Sequence, residues 1–288
     1  MKASIQTKVR LRTVPLFTAA LLAWSASYAE SLPLWEVGTG VATINLPDYR
    51  GADETSTYIL PIPYLVYRGE FLKADREGVR GTLFASERAE INVSINATPP
   101  ATSKHNTARR GMPDLKPTFE VGPTLDIKLW RSHDAKARLR FRAPVRAGIT
   151  AETSPRQIGW LFSPNLNLDI EDTPGMPGWN LGLVAGTLFS NRKYNAHFYS
   201  VAPQQATAGR PAYAASGGYS GAQLTMTISK RFARHWVGGF VRYDTVSGAV
   251  FEDSPLVRKR HAVLAGIALV WVFGESSTMV DVPDFTVR

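Results

Sequence analysis

Every second residue between positions 137 and 148 is small or apolar, and most of the others are arginine. Arg138, Arg140, Arg142 and Arg146 fall on one side of an extended chain; Ala137, Leu139, Phe141, Ala143, Val145 and Ala147 fall on the other. The same period of two recurs elsewhere. Phe119, Val121, Leu125, Ile127 and Leu129 alternate with Glu120, Thr124, Asp126 and Lys128, and Leu166, Leu168 and Ile170 with Asn165, Asn167, Asp169 and Glu171. No long stripe of 3.6-residue period follows residue 30, so the pattern predicts an all-β chain. The breaks give twelve strands, near 33–45, 57–67, 70–75, 78–85, 88–98, 117–130, 136–150, 157–171, 178–190, 218–232, 235–247 and 261–273. The third and fourth are short and highly charged, and merging them would leave eleven. An even number is expected of a closed antiparallel barrel with both termini on one side.

The links alternate in length. Those at 68–69, 86–87, 131–135, 172–177 and 233–234 are short, whereas 46–56, 99–116, 191–217 and 248–260 are long. Short turns at one end and long loops at the other are the pattern of a transmembrane barrel, with the turns in the periplasm. On that topology Trp35, Trp130, Trp179, Trp236, Trp271 and Phe273 gather at the turn end as an interfacial girdle, and Trp160 lies at the other rim with Tyr58, Tyr219 and Tyr243. Amphipathic rings collect where lipid meets water. The apolar faces then meet lipid and the charges line the lumen. Glu120, Asp126, Lys128, Arg138, Arg140, Arg142, Arg146, Asp169 and Glu171 would form a charge ladder across three strands. Isolated charges in a narrow interior cost several kcal/mol, so cross-strand ion pairs are expected. Such a ladder either braces the barrel or forms an anion-attracting constriction.

Composition changes this picture little. Residues 1–29 have a basic start, an apolar stretch and Ser27-Tyr28-Ala29, the features of a cleaved secretory signal. The expected organisation is therefore a signal peptide over 1–29, a transmembrane β-barrel over 30–274, and a polar tail over 275–288 that is periplasmic and disordered. Removing Lys2, Lys8, Arg10 and Arg12 takes the 33 basic residues to 29 against 24 acidic ones, so the net charge falls to +5 and no nucleic-acid partner is indicated. There are no cysteines, hence neither a disulfide framework nor a thiolate metal site.

Several stretches go beyond pattern: "LPDYRGADE" at 46–54, "LPIPYLVYRGEFLKADREGVRG" at 60–81, "RRGMPDLKPTFEVGP" at 109–123, "GWNLGL" at 178–183, "NRKY" at 191–194, "VGGFVRYDTVSGAVFEDSPLV" at 237–257 and "VWVFG" at 270–274. In these the chain resembles the MipA/OmpV family of outer-membrane proteins from Trp35 to Gly274. The resemblance implies an outer-membrane barrel of a Gram-negative cell. It also implies a non-enzymatic scaffold between a lytic murein transglycosylase and a bifunctional murein synthase, other members being porin-like or adhesin-like. It carries over no catalytic residue. One departure is that the aromatic closing the last strand is followed by a tail, 275–288, rather than ending the chain.

Candidate chemistry is sparse. The five histidines show no zinc-binding spacing, and no cofactor motif is present. "GGYSG" at 217–221 lacks the final glycine of a nucleophile elbow, because position 222 is alanine. His105 with Asp114, or His261 with Asp253 and Ser254, are the pairs that would have to meet for catalysis, and none is expected. In the long loops, Arg109, Arg110, Arg258, Lys259 and Arg260 form a basic patch suited to phosphates of outer-membrane lipid and lipopolysaccharide. Asp48, Arg50, Asp53 and Glu54 would join it as a rim network. The segment 200–218 should be mobile or pack over the mouth. At the opposite end, 131–136, 172–178, 233–234 and the tail form the candidate docking surface for murein enzymes. The alternative is a narrow porin-like channel for small anionic solutes, or an adhesin acting through the long loops.

Overall fold

The computed structural model describes residues 31–69, 72–75 and 78–281. The signal expected over 1–29 lies outside them, as do 282–288. Fifteen strands are described: β1 Ser31–Pro33, β2 Trp35–Pro47, β3 Thr55–Arg68, β4 Leu72–Asp75, β5 Gly78–Ala85, β6 Ala89–Thr98, β7 Thr118–Arg131, β8 Ala137–Thr150, β9 Gln157–Phe162, β10 Asn165–Ile170, β11 Trp179–Ser190, β12 Gly218–Arg231, β13 His235–Thr245, β14 His261–Glu275 and β15 Met279–Asp281. One α-helix, α1, covers Arg192–Tyr199.

Except for β9 and β10, neighbours in sequence pair antiparallel from β2 to β14, and β14 returns to β2 from Ala265↔Asn45 to Glu275↔Glu36. The span expected as one strand over 157–171 is broken at Ser163-Pro164. β8 pairs β9 with one half and β10 with the other, and β11 pairs both. Proline has no N–H to continue a ladder. Ser163 N–H instead bonds the Pro144 carbonyl at 3.1 Å, and Thr187 N–H bonds that of Pro164 at 3.1 Å. With β9 and β10 sharing one wall position, the pairings describe a twelve-stranded antiparallel barrel. Among the described residues, β3 meets β4 at Tyr67↔Ala74 and Arg68↔Lys73.

This barrel is inside out. Along β14, Leu264, Val270 and Val272 are buried while Val263, Ile267, Leu269, Trp271 and Phe273 are exposed. Phe119, Leu125, Val145, Leu224, Met226 and Val241 continue the exposed apolar belt on other strands. The buried positions of β6, β7, β8 and β10 are instead polar: Glu90, Asn92, Ser94, Glu120, Thr124, Asp126, Arg140, Asn167 and Asp169. Water would reject such a surface. Lipid requires it, together with a sheet that satisfies its own backbone.

The main hydrophobic cluster lies outside the barrel wall. Tyr49, Ala52, Leu115, Ile158, Phe198, Tyr199, Val201, Val246, Phe251 and Leu256 come largely from the long loops and pack into a crown over one mouth. Of the two expectations for the segment 200–218, packing over the mouth is the one observed: it belongs to this crown, with Val201 and Tyr213 exchanging backbone bonds of 2.8 and 3.0 Å. Helix α1 was not legible from apolar spacing. Asn191 caps it by accepting the Tyr194 N–H, and the same Oδ1 accepts the Trp160 N–H of β9 at 3.0 Å. Gly159, at φ +136°, permits this contact, since a Cβ there would meet the Tyr194 nitrogen at 2.3 Å.

The described part of the tail is paired rather than disordered. β15 pairs with β1 at the turn end, Ser31↔Asp281 to Pro33↔Met279. Leu34 N–H bonds Thr278 O at 2.8 Å, so both ends of the barrel chain are joined in one ribbon.

Seating of α1 on β9 yields a testable outcome. Gly159→Val should cost roughly 1–3 kcal/mol locally through its backbone conformation and the contact with α1. Limited trypsin digestion should then cut at Arg192 or Lys193 while circular dichroism still reports an intact β-barrel. Unchanged resistance in the crown would show that α1 does not depend on this contact.

Candidate functional site

Cross-strand register assembles most of the charge ladder. Arg142 stands opposite Asp126 of β7, and Arg140 lies between Lys128 of β7 and Asn167 of β10. Arg140 reaches Asp126 Oδ2 at 3.2 Å with Nη1 and Asp169 Oδ2 at 2.9 Å with Nη2. Arg142 Nε lies 3.4 Å from the same Asp126 oxygen, and Arg138 pairs with Glu171. Higher in the barrel, Arg146 Nε donates to Ser94 Oγ at 3.0 Å, and Ser94 bonds Thr124 at 2.7 Å. Glu120 accepts from Asn96 at 3.2 Å and from the Tyr194 hydroxyl of α1 at 2.5 Å. The crown is thus anchored on a carboxylate of the barrel interior. Lys128 shares the inward face with Arg140.

Two further charge clusters escaped the sequence reading. Glu36 accepts from Arg68 at 2.6 Å and Arg231 at 2.9 Å near the turn end. Asp244 lies 3.1 Å from Arg242 and 3.7 Å from Arg50 near the crown. Arg50, expected in a rim network, points to the barrel instead and donates to the carbonyls of Ser220, Ala222 and Thr245. The inward parity of Glu36 was available in the sequence, but closure of β14 on β2 was needed to bring Arg231 to it.

Other expected residues separate. Trp35, Trp130, Trp271 and Phe273 are exposed at the turn end, and Trp179 lies there beneath Lys230, whose Nζ is 5.8 Å from its ring. Trp236 does not join them. It pairs with the buried Val270 and lays its ring over Gly238, so it faces inward. Among the basic loop residues, Arg110, Arg258, Lys259 and Arg260 are exposed, Arg260 pairing with Glu252. Arg109 is corrected: at 4% exposure it is sealed in the crown, donating to Phe198 O at 3.0 Å and Pro113 O at 3.2 Å, over the Tyr49 ring. Its guanidinium satisfies loop carbonyls and is not presented to phosphates. His261 bonds the Tyr243 hydroxyl at 2.7 Å, whereas Ser254 is buried and donates to Tyr199 O. Asp114 accepts the Ser103 N–H, and Ser220 is buried against Gly218 O. None of these contacts pairs a histidine with a serine.

The short turns are stitched sideways. Lys136 Nζ reaches Asp172 Oδ2 at 2.6 Å across neighbouring links, and Asp172 Oδ1 accepts the Gly178 N–H at 2.7 Å. These two donors, the Gly178 amide first, hold the Asp172 carboxyl below its usual range. Lys230 continues the chain to Pro177 O at 2.9 Å. Ala135 and Asp172 hold positive φ of 60° and 49°, so both turns have uncommon backbone conformations maintained by this network. Phe232 and Met176 are exposed beside it.

The sequence matches the family described as "MltA-interacting protein MipA" over residues 39–273. Outer membrane protein Omp26La of Vibrio anguillarum is 25% identical over 213 residues, 72% of this chain and 76% of the relative. Outer membrane protein OmpV of Vibrio cholerae serotype O1 is 24% identical over 213 residues with the same coverage, 72% and 76%. The relatives are named as outer-membrane proteins, not as enzymes. Among solved structures, the CymD monoaromatic hydrocarbon channel is similar at 11% identity with a TM-score of 0.33, over 84% of this chain and 89% of that one. OprG of Pseudomonas aeruginosa aligns at 10% identity with a TM-score of 0.20, over 85% and 95%.

Two outcomes follow from these contacts. Arg140→Ala should destabilise the barrel by about 3–5 kcal/mol in urea, because it leaves two buried carboxylates short of a partner. Arg260→Ala, at an exposed pair, should cost under about 1 kcal/mol in the same assay. His197 of α1 is held at a pKa of about 4, chiefly by burial and then by Arg109 and Arg156. The unfolded chain protonates this side chain near pH 6.5, so crown stability should fall as pH drops from about 6.5 to 4. Melting temperatures at pH 7 and 4.5 should differ less for His197→Gln than for the wild type. Equal differences would remove His197 as the cause.

Proposed function

Because the chain belongs to the MipA family of outer-membrane proteins, we propose that it is a non-conducting barrel that serves as a scaffold for murein enzymes, with its short-turn end in the periplasm. The observation that carries this reading is the burial of the interior charges. Asp126 is 1% exposed, Arg140 2% and Asp169 5%, values expected of packed side chains rather than of groups lining a water-filled pore. The crown over the loop-end mouth, anchored through Tyr194 and Glu120, supports the same conclusion. On this reading the arginines brace the barrel, and an anion filter is disfavoured.

The turn end is then the working surface. Its links around Lys136, Asp172 and Lys230 are held in one arrangement before any partner arrives, which lowers the ordering cost of binding. Exposed Phe232 and Met176 supply apolar anchors within a polar, mostly basic rim. The family description supplies the partner class, a lytic murein transglycosylase, to which a murein synthase is added by the resemblance noted above.

The test is binding of a soluble lytic transglycosylase to the protein in lipid nanodiscs, beside conductance in planar bilayers. Binding should weaken about tenfold or more, roughly 1.4 kcal/mol, in Phe232→Ala/Lys136→Ala and be unchanged in Arg258→Ala. Steady conductance steps, or binding that depends on Arg258 alone, would overturn the proposal.

A further inference from the structure

Two guanidinium groups are buried in the crown without a carboxylate. Arg109 is 4% exposed and Arg210 8%, and neither forms an ion pair among the described residues. Arginine is almost never buried this far unless it is paired. Their hydrogen bonds go to neutral carbonyls instead, Arg109 to those of Phe198 and Pro113, Arg210 to those of Gln205, Ala108 and Arg110. Carbonyls satisfy protons but leave the buried charge without a counter-ion. The Tyr49 ring, 5.7 Å from the Arg109 guanidinium carbon, offsets part of that cost. The Nε of Arg109 is a donor too, and it is buried with no acceptor.

Arg109 lines a cavity of about 680 Å³, within the size range of small-molecule sites. Met112 and Leu115, both buried, supply apolar wall. His197 of α1 lines the same space, and its Nε2 is likewise buried without a partner. With a pKa of about 4 this imidazole is uncharged at neutral pH, so it can donate one N–H and adds no second cation. A neighbouring cavity of about 610 Å³ shares Arg156 and His197 with the first and adds Lys193. Two carboxylates stand near these cations. Asp114, exposed, lines the first cavity and accepts the Ser103 N–H, and Glu152 pairs with Arg156 at 2.9 Å. Arg109, Arg156, Lys193 and the adjoining Arg210 together outweigh them.

One unmet guanidinium N–H and one unmet imidazole nitrogen beside apolar wall match a single negative charge on an apolar body. A phosphate dianion would need more donors than these and would meet Asp114 as well. We propose that the crown cavity binds a small amphipathic carboxylate, its carboxyl group on Arg109 and His197 and its apolar part against Met112 and Leu115. The cavity lies at the opposite end of the barrel from the turns assigned to murein enzymes, so the two readings stand or fall separately.

The test is photolabelling of the protein in lipid nanodiscs with para-benzoylbenzoate, beside uncharged benzophenone, the labelled peptides being mapped by mass spectrometry. The carboxylate should label Met112 or Leu115 saturably, yield to excess octanoate, and exceed benzophenone at those positions. Arg109→Gln should weaken that labelling about tenfold or more, the scale of a hydrogen bond to a charged group. Because Arg109 also holds loop carbonyls, His197→Phe is the second variant. It keeps an aromatic ring and removes Nε2, and labelling should fall about threefold or more. Arg258→Gln, on the loop surface, should leave it unchanged. Equal labelling by benzophenone would mean an apolar cavity with no preference for an anion. Labelling confined to the exposed apolar belt would mean partition into lipid. Either result, or undiminished labelling in His197→Phe and in a folded Arg109→Gln, overturns the proposal.

Discussion

Hydrocarbon cannot hydrogen-bond, and the rest of this structure depends on that constraint. It directs each strand to pair along its length and turns the larger apolar side chains outward. The charged residues on the alternate face are left to find partners in the interior. Arg140 meets that demand most fully, joining β7 to β10 through Asp126 and Asp169. The Glu36 and Asp244 clusters do the same near the two ends. An ion lattice of this kind contributes little net stability, because desolvation offsets much of the attraction. Its effect lies in the large cost of any arrangement that leaves one member alone, which specifies strand order and register.

The hydrophobic effect, excluded from the wall as an organising force within lipid, acts on the loops. Four long connections meet over one mouth and bury Phe251, Leu256, Val201 and Tyr199 as a small soluble domain would. The stacked Tyr199 and Phe251 rings, 3.6 Å apart, lie at its centre. Arg109 and Arg210 clamp carbonyls that have no strand partner, Arg210 reaching Ala108 O and Arg110 O at 2.9 Å each. The crown meets the barrel interior at the Tyr194–Glu120 bond.

Strand phase, the strand count apart from the break at Ser163-Pro164, and the alternation of short and long links were determined by the sequence itself, whereas the inward clusters at Glu36 and Asp244 were not. The former follow from a local period of two and from the lengths of the links. The Arg138, Arg140 and Arg142 partners were legible because β7, β8 and β10 are consecutive in the wall. The tertiary structure alone decided that Glu36 meets Arg231, 195 positions away, because that contact exists only once β14 returns to β2. It alone turned Trp236 inward, sealed Arg109 from the surface, folded α1 on an asparagine cap and the barrel mouth, and joined β15 to β1. Alternation records which face of a strand is apolar. It carries no information about which distant loop or strand closure will place against that face, and those long-range contacts set the charge partners and the crown.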